Sequence, residues 1–421
     1  MRLIILNQFF HPDHSATSQL MTDLAESLVE RGITVTALAG RGRYGGGTKL
    51  PARESYRGVQ IERAWATGFG KGRLAGRIAD YLSFYLGACW KLLRLPRHDV
   101  IMPLTTPPLI GLAALVIGRL RRMRVVMLVQ DVYPDIAVAL GALPANGPLT
   151  GLLEWFNRQT LNRADVIVVL SECMRDRIAA KLSREAASRI TVIHNWADGL
   201  AIKPLGALEN PFAVEHKLDG KFVVLFSGNL GLVNEFSTVL KAARLLRQRS
   251  DIVFFFVGDG ASLSEMRGYC ETQGLDNVRF LPYQPRELLR YSLSAAHACL
   301  VTLKDGLAGL SVPSKTYGIM AAGRPILFVG DQRCTIARIV EENGCGAVVK
   351  ADDAQELADI VSRWSSDPMR LEKLGAAART LFERRFDRRH AVEAYINIFS
   401  KSSNSIMMDT VQQCDTSSRI G

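Results

Sequence analysis

Short runs of uninterrupted apolar residues constrain this chain most. Val125–Val129, Val166–Leu170, Phe222–Phe226, Ile252–Val257, Ala298–Val301 and Ile326–Val329 carry no polar side chain. Each is too short for an ordinary helix, and none alternates, so neither face of the strand is meant for water. Strands of that kind belong to parallel sheets covered by helices on both sides. The segments between them fit. Arg2–Asn7 reads as a strand, and Thr17–Arg31 carries Leu20, Leu24 and Leu28 at helical spacing before the helix stop Gly32. Ile33–Ala39 and Val59–Trp65 follow as strands, and Leu74–Leu93 as a helix. After a Pro- and Gly-punctuated stretch from Asn195 to Lys221, read as a linker, the alternation restarts. Helices are predicted at Glu235–Gln248, Ser262–Thr272, Arg286–Ser294 and Pro313–Ala322, with a further short strand at Val278–Phe280.

The fold class that follows is α/β, with two doubly wound Rossmann-like domains facing across a cleft, because such sheets bind ligands at the carboxyl ends of their strands. The expected boundaries are residues 1–200, 201–400 and a Ser-rich, polar, disordered tail at 401–421. The length of 421 residues suits two or three domains with cores large enough to need no metal or disulfide staple. Seven scattered cysteines, with no C-x-x-C, point to a reducing compartment. The start Leu3–Leu6 is too short for the apolar part of a signal peptide. Val100 to Gly118 is free of charge and long enough to span a bilayer, but Pro103, Pro107 and Pro108 divide it into a strand, a turn and a buried helix.

Charge is unevenly placed. Residues 1–200 carry net +9 and residues 201–421 net +2, while 31–124 alone carry +13. The first half should therefore meet something anionic: nucleic acid, an acidic membrane or a phosphorylated substrate. No nucleic-acid-binding motif accompanies the charge, which disfavours the first. Leu74, Ile78, Tyr81, Leu82, Tyr85, Leu86, Trp90 and Leu93 recur at helical spacing, flanked by Arg73, Arg77, Lys91, Arg94 and Arg97. Such a helix either lies in an anionic membrane surface or packs its stripe on the core.

Several chemistries are disfavoured. The chain has no P-loop, no H-E-x-x-H, no G-x-S-x-G and no Asp-x-Asp. What remains are Gly-rich turns. From Gly306 a loop runs through Ser311, Val312, Pro313, Ser314 and Lys315 into a helix and on to Gly323-Arg-Pro325. Pro313 suits a first helical turn, Ser311 or Ser314 can cap it, and the free N–H groups favour an anion. Lys315 in that turn is either a ligand for a diphosphate or a solvated surface residue. Ser227-Gly-Asn229-Leu-Gly231 and Gly258-Asp259-Gly260 follow two other strands, where glycine lets backbone approach a ligand. In the first half Asp131 follows a buried strand. His11, Asp13, His14, Ser15 and Thr17 populate the first loop, where an imidazole or carboxylate can act as base or hold a hydroxyl, and either His can cap the next helix.

Taken together, Pro313-Ser-Lys315, Met320-Ala-Ala-Gly-Arg-Pro325, Ser227–Gly231, Val257–Gly260, Asn195-Trp-Ala-Asp198, Asn7–Asp13 and Gln130–Asp135 resemble the family 4 glycosyltransferases of the GT-B fold. The subgroup most similar is that of colanic-acid and O-antigen assembly, and the resemblance covers about residues 1–400. It implies a retaining, metal-independent transfer from a nucleoside-diphosphate sugar, with no cofactor. The donor would meet Ser227, Gly228, Asn229, Gly231, Asp259, Ser311, Val312, Pro313, Ser314 and Tyr317. The acceptor would meet His14, Ser15 and Gln130, and Asp131 and Lys315 would be catalytic. The expected acceptor is a saccharide, polyprenyl-diphosphate-linked, used at the cytoplasmic face of the inner membrane by a peripherally associated enzyme of surface-polysaccharide biosynthesis. The chain also departs from the family pattern. Leu310 and Gly318 stand where two glutamates are usual, Gln130 where a histidine is, Asn229 near an arginine position, and Glu235 or Phe236 near a lysine position. These departures keep open a scaffold that has lost activity. A nucleotide-sugar epimerase on the same fold is a further alternative.

Overall fold

The computed structural model describes residues 1–43, 49–67, 74–205 and 210–401, the side chains of 74, 75, 77 and 78 excepted. The Gly45-Gly46-Gly47 loop, the side chains of Leu74, Arg77 and Ile78, Arg73, Cys414 and the tail expected to be disordered lie outside the described residues. The chain forms two compact units, Met1–His194 with the residues from Ala391 onward, and Asn195–His390. It passes between them twice, at 194/195 and 390/391, where the sequence suggested one passage near 200.

The first unit holds an eight-stranded sheet. Its strands are β1 (Arg2–Leu6), β2 (Thr34–Gly40), β3 (Arg53–Tyr56), β4 (Val59–Ala64), β5 (Val100–Pro103), β6 (Arg124–Val129), β7 (Val166–Val169) and β8 (Ile190–Val192). Their order is β3-β4-β2-β1-β5-β6-β7-β8, and only the β3–β4 pair is antiparallel. The chain runs outward from β1 on one side, then returns to lay β5 on the other. The strand order therefore reverses between β1 and β5, which is where doubly wound sheets open a crevice. The stretch Val100–Gly118 is β5 followed by the helix Ile110–Leu120. Among the described residues no helix is long and apolar enough to cross a membrane.

The second unit holds six parallel strands: β9 (Phe222–Ser227), β10 (Ile252–Val257), β11 (Val278–Leu281), β12 (Ala298–Thr302), β13 (Ile326–Val329) and β14 (Gly346–Val349). The order β11-β10-β9-β12-β13-β14 puts its reversal between β9 and β12. Phe226, Phe236 and Phe256 meet edge-on or tilted in the core, and Ile252–Val257 is buried throughout. Burying each such side chain contributes about 1.5–3 kcal/mol. The stretch from Asn195, expected as a linker, is built into this unit. Ala197 bridges Asp387, Arg388 faces Asp198 at 3.4 Å, and Asn210 caps the helix Pro211–Glu215.

Candidate active site

In the second unit the expected donor residues converge on the carboxyl edge of three adjacent strands. The turns after β9 and β10 approach backbone to backbone: Gly228 N–H donates to Val257 O at 2.9 Å and Leu230 N–H to Asp259 O at 2.9 Å. A Cβ on Gly258 (φ +146°) would sit 2.0 Å from Gly228 O, so only glycine fits there. The turn after β12 joins them through Lys304 N–H, which donates to Val233 O at 2.9 Å. Asn234, which the sequence reading passed over, is the internal brace. Its buried amide donates to the carbonyls of Asn229 and Gly231, both at 3.1 Å, and its oxygen accepts from Thr302 Oγ1 at 3.3 Å.

Lys315 is the cation of this edge. Its Nζ lies 3.3 Å from the centroid of the Phe226 ring and within 3.7 Å of the Cβ position of Gly228. Among the described residues no carboxylate pairs with it. Burial against the ring holds its pKa well below the ordinary lysine value. An ammonium stacked on an aromatic face, beside a glycine turn and without a counter-ion, is prepared for an anion arriving from outside. Phe226 ends the apolar run Phe222–Phe226 in the sequence, but nothing there showed that its ring lies under Lys315.

Some expected roles need correction. The helix opens at Lys315 and ends at Ala321, so Pro313 stands outside it rather than in its first turn. Ser314 occupies the cap position with φ −64° and ψ −23°, already helical, and its hydroxyl makes no cap hydrogen bond. Ser311 does not cap this helix either. Tyr317 is fully buried, its ring edge-on to Phe386 at 5.2 Å, so it packs the unit rather than facing a donor. Ser311, Val312, Pro313 and Ser314 are partly exposed, as are Ser227 and Gly228, and Asn229 and Asp259 are open to solvent. Gly231 is buried. Leu310 is buried, and a side chain at Gly318 would meet Leu293 and Ile202, so the two positions where glutamates are usual are both apolar here.

In the first unit the acceptor-side residues gather at the edge formed by β1, β5 and β6. Gln8 N–H donates to Thr106 O at 3.0 Å, tying the first loop to the turn after β5. Thr105 Oγ1 accepts from the amides of Gln130 (3.2 Å) and Asp131 (3.3 Å), which fixes where both residues leave the sheet. Gln130 Nε2 and Asn7 Oδ1 are buried with no hydrogen-bond partner, a costly state that a ligand at this edge would relieve. Ser15 caps the helix Ala16–Glu30 by accepting from Ser18 N at 3.3 Å, and His14 is exposed. The ring of His11 stacks on Tyr56 at 3.6 Å, and its burial lowers its pKa. Among the described residues no three His, Cys, Asp or Glu side chains gather at metal-ligand spacing, and no described cysteine is in a disulfide.

The helix Leu74–Arg94 resolves the two readings of its apolar spacing. Phe84, Ala88 and Leu92 form the buried stripe, while Leu82, Leu86, Trp90 and Leu93 are exposed. The neighbouring helix Ile110–Leu120 adds exposed Val116 and Leu120, and the helix packed beside it, Pro148–Arg163, adds Leu149, Leu152 and Trp155.

Comparison with known families decides the chemistry. Residues 17–196 match the model of the glycosyl transferase 4-like domain and residues 209–381 that of the glycosyl transferases group 1. The chain belongs to the glycosyltransferases. The two matches fall on the two units in turn; the donor edge lies within the second, and the first begins just after β1 and the loop that carries His14 and Ser15. A probable glycosyltransferase, WbjE of Pseudomonas aeruginosa, is 28% identical over 326 residues, covering 77% of this chain and 80% of its own. The putative colanic acid biosynthesis glycosyl transferase WcaI of Escherichia coli K12 is 25% identical over 289 residues, covering 67% and 69%. Among solved structures, HepE of Anabaena in complex with UDP and glucose superposes with a TM-score of 0.73 at 17% identity, covering 95% of this chain and 99% of its own. The glycosyltransferase therefore has the GT-B architecture of two parallel-sheet α/β domains.

Proposed function

We propose that this glycosyltransferase moves a sugar from a nucleoside diphosphate onto a saccharide carried on polyprenyl diphosphate, in surface-polysaccharide biosynthesis. The observation that carries the reading is Lys315, a cation without a counter-ion, held over Phe226 beside the Gly228 turn. Breaking the glycosidic bond to the donor leaves negative charge on the diphosphate, and a preplaced cation stabilises that charge as it develops. With Lys315 in this role no metal is required at the diphosphate; retention of the anomeric configuration is what the family resemblance implies. HepE, bound to UDP and glucose, supports a uridine-nucleotide donor. WcaI, named for colanic acid biosynthesis, supports a polysaccharide product. Asp131, positioned through Thr105, is the acceptor-side candidate.

The exposed apolar face of the first unit, together with its basic balance, supports peripheral attachment to an anionic membrane at the cytoplasmic side. Exposed Leu and Trp side chains enter the headgroup boundary while Arg and Lys meet the phosphates. No nucleic-acid partner is proposed.

Incubation with radiolabelled UDP- and GDP-sugars and membranes, with and without EDTA, tests the reading. The expected result is transfer that survives EDTA with the donor's anomeric configuration kept. A second reading, a scaffold without turnover, rests on the apolar surroundings of Leu310 and Gly318. Titration with UDP separates the two, because a scaffold has no need to bind it; no binding and no transfer would sink the transferase reading.

A further inference from the structure

A pocket of about 320 Å³ opens in the first unit, apart from Asp131 and its neighbours. It is lined by Arg41, Ala52, Arg63, Trp65, Gly87, Trp90 and Lys91. Arg41 follows β2 and Trp65 follows β4, so the pocket stands at the carboxyl edge of the same sheet. The helix Leu74–Arg94 closes it. A Cβ on Gly87 would lie 2.5 Å from Trp65 O, so the helix can approach the backbone of Trp65 only because that position is glycine. Trp65 and Trp90 remain 58% and 53% exposed, although both border a cavity. Arg94 already stacks on Trp90, 4.2 Å from the ring centroid, which leaves Trp65 as the open aromatic wall.

The charges of the pocket are incompletely balanced. Lys91 pairs with Glu62, which also holds Arg53 at 2.9 Å. Arg63 is fully buried. It donates to His11 O at 2.6 Å, Pro51 O at 3.1 Å and Glu54 Oε1 at 2.6 Å, and its Nε has no partner. Arg41 gives Nε to Leu50 O at 2.9 Å and has no carboxylate partner among the described residues. A buried guanidinium with an unused N–H, a second guanidinium without a counter-ion and an exposed indole share one cavity. An anion on Arg41 and a sugar ring against the indole would satisfy those two groups, with the buried Arg63 adding its charge from behind.

We propose that this pocket binds the phosphate-bearing end of the saccharide acceptor. Arg41 meets the phosphate, Arg63 stands behind it as the buried, ion-paired floor, and Trp65 packs against the adjoining sugar. The inference rests on the transferase reading above and names the substrate chemistry that the first unit recognises. Through its bond to His11 O, Arg63 also couples the pocket to the loop after β1, where the acceptor edge begins.

The test uses the full chain and a short-chain prenyl-diphosphate-linked hexose, followed by calorimetry and tryptophan fluorescence. Parallel titrations use UDP, inorganic pyrophosphate, the free hexose, and phosphatidylglycerol vesicles without sugar. Arg41→Ala and Trp65→Ala alter surface side chains, and their melting temperatures are recorded alongside. The expected result is that each variant binds the diphosphate-linked hexose about tenfold more weakly while its affinity for UDP is unchanged. Trp65→Phe should restore most of the loss. Equal affinity in wild type and variants overturns the proposal. So does a wild type that binds UDP but not the probe, an outcome that leaves the transferase reading intact. Conversely, probe binding that the variants weaken, in a protein that does not bind UDP, sinks the transferase reading and keeps the pocket. Vesicles without sugar showing the same variant sensitivity would make this a headgroup site and overturn the saccharide assignment.

Discussion

In the second unit the turns after β9, β10 and β12 meet backbone to backbone, whereas in the first unit those after β5 and β6 are joined through the hydroxyl of Thr105. The second edge is tight, glycine-dependent and served by one cation. The first carries orphaned polar atoms and a basic, tryptophan-lined pocket, beside helices that leave Leu and Trp in solvent. The net charges of the two halves fit the proposed function. A diphosphate held by amides and Lys315 would need no surplus of charge, while an acceptor presented at an anionic surface would be met by many separate cations.

The sharpest way to break the contrast is Lys315→Ala. If the second edge depends on one cation, kcat/KM should fall by about 10²–10³, as when a single transition-state donor is removed, with the melting temperature little changed. Steady-state kinetics beside calorimetric unfolding measure both. Gly258→Ala probes the backbone contact, because its new Cβ would strike Gly228 O. A loss of about 2–3 kcal/mol in denaturant unfolding is expected, together with weaker UDP binding. The same substitution at Gly32, which also has positive φ but nothing within 4 Å, should cost only about 1 kcal/mol.

On the first unit, Leu86→Glu and Trp155→Glu should each lower partition onto anionic vesicles about tenfold in flotation assays, since each removes one buried apolar anchor. Turnover with a water-soluble acceptor should hold. The smallest effect is protonic. Burial holds the pKa of Lys315 below the ordinary 10.5, and a bound diphosphate pushes it back up. At a pH between the depressed value and the higher value in the complex, UDP binding therefore takes up a proton, and over that range affinity falls as pH rises. In the free protein the same shift makes stability fall as pH drops from 10.5 toward that value, because the unfolded chain takes the proton more readily. Calorimetry in buffers of different ionisation enthalpy should show the uptake, and Lys315→Met should abolish it.

What could be read in advance follows from how completely each element is buried. Ile252–Val257 and Ile326–Val329 were legible because every position is apolar and both faces are covered. Arg53–Tyr56 was not, because it is a half-exposed edge strand of polar residues paired only with β4. In Leu74–Arg94 apolar residues occur on more than one face, so spacing alone could not tell the buried stripe at Phe84, Ala88 and Leu92 from the exposed one. The turns of the donor edge were visible as glycines. The function of Phe226 beneath Lys315, the brace at Asn234 and the burial of Tyr317 depend on contacts between distant parts of the chain. Ser15, expected on the acceptor side, also caps the helix Ala16–Glu30 through its hydroxyl, a role its place in the first loop did not reveal.

The return of the chain to the first unit has a consequence for synthesis. Tyr395, Ile398 and Phe399 pack within that unit, and Arg124 at the start of β6 donates to the carbonyls of Ile398 and Lys401. On the ribosome the residues up to His194 emerge first but wait for these last partners, while Asn195–His390 is contiguous and can close as soon as it is made. The half translated first is thus the half completed last, and a chain cut before residue 391 would leave the Arg124 guanidinium without its carbonyl acceptors.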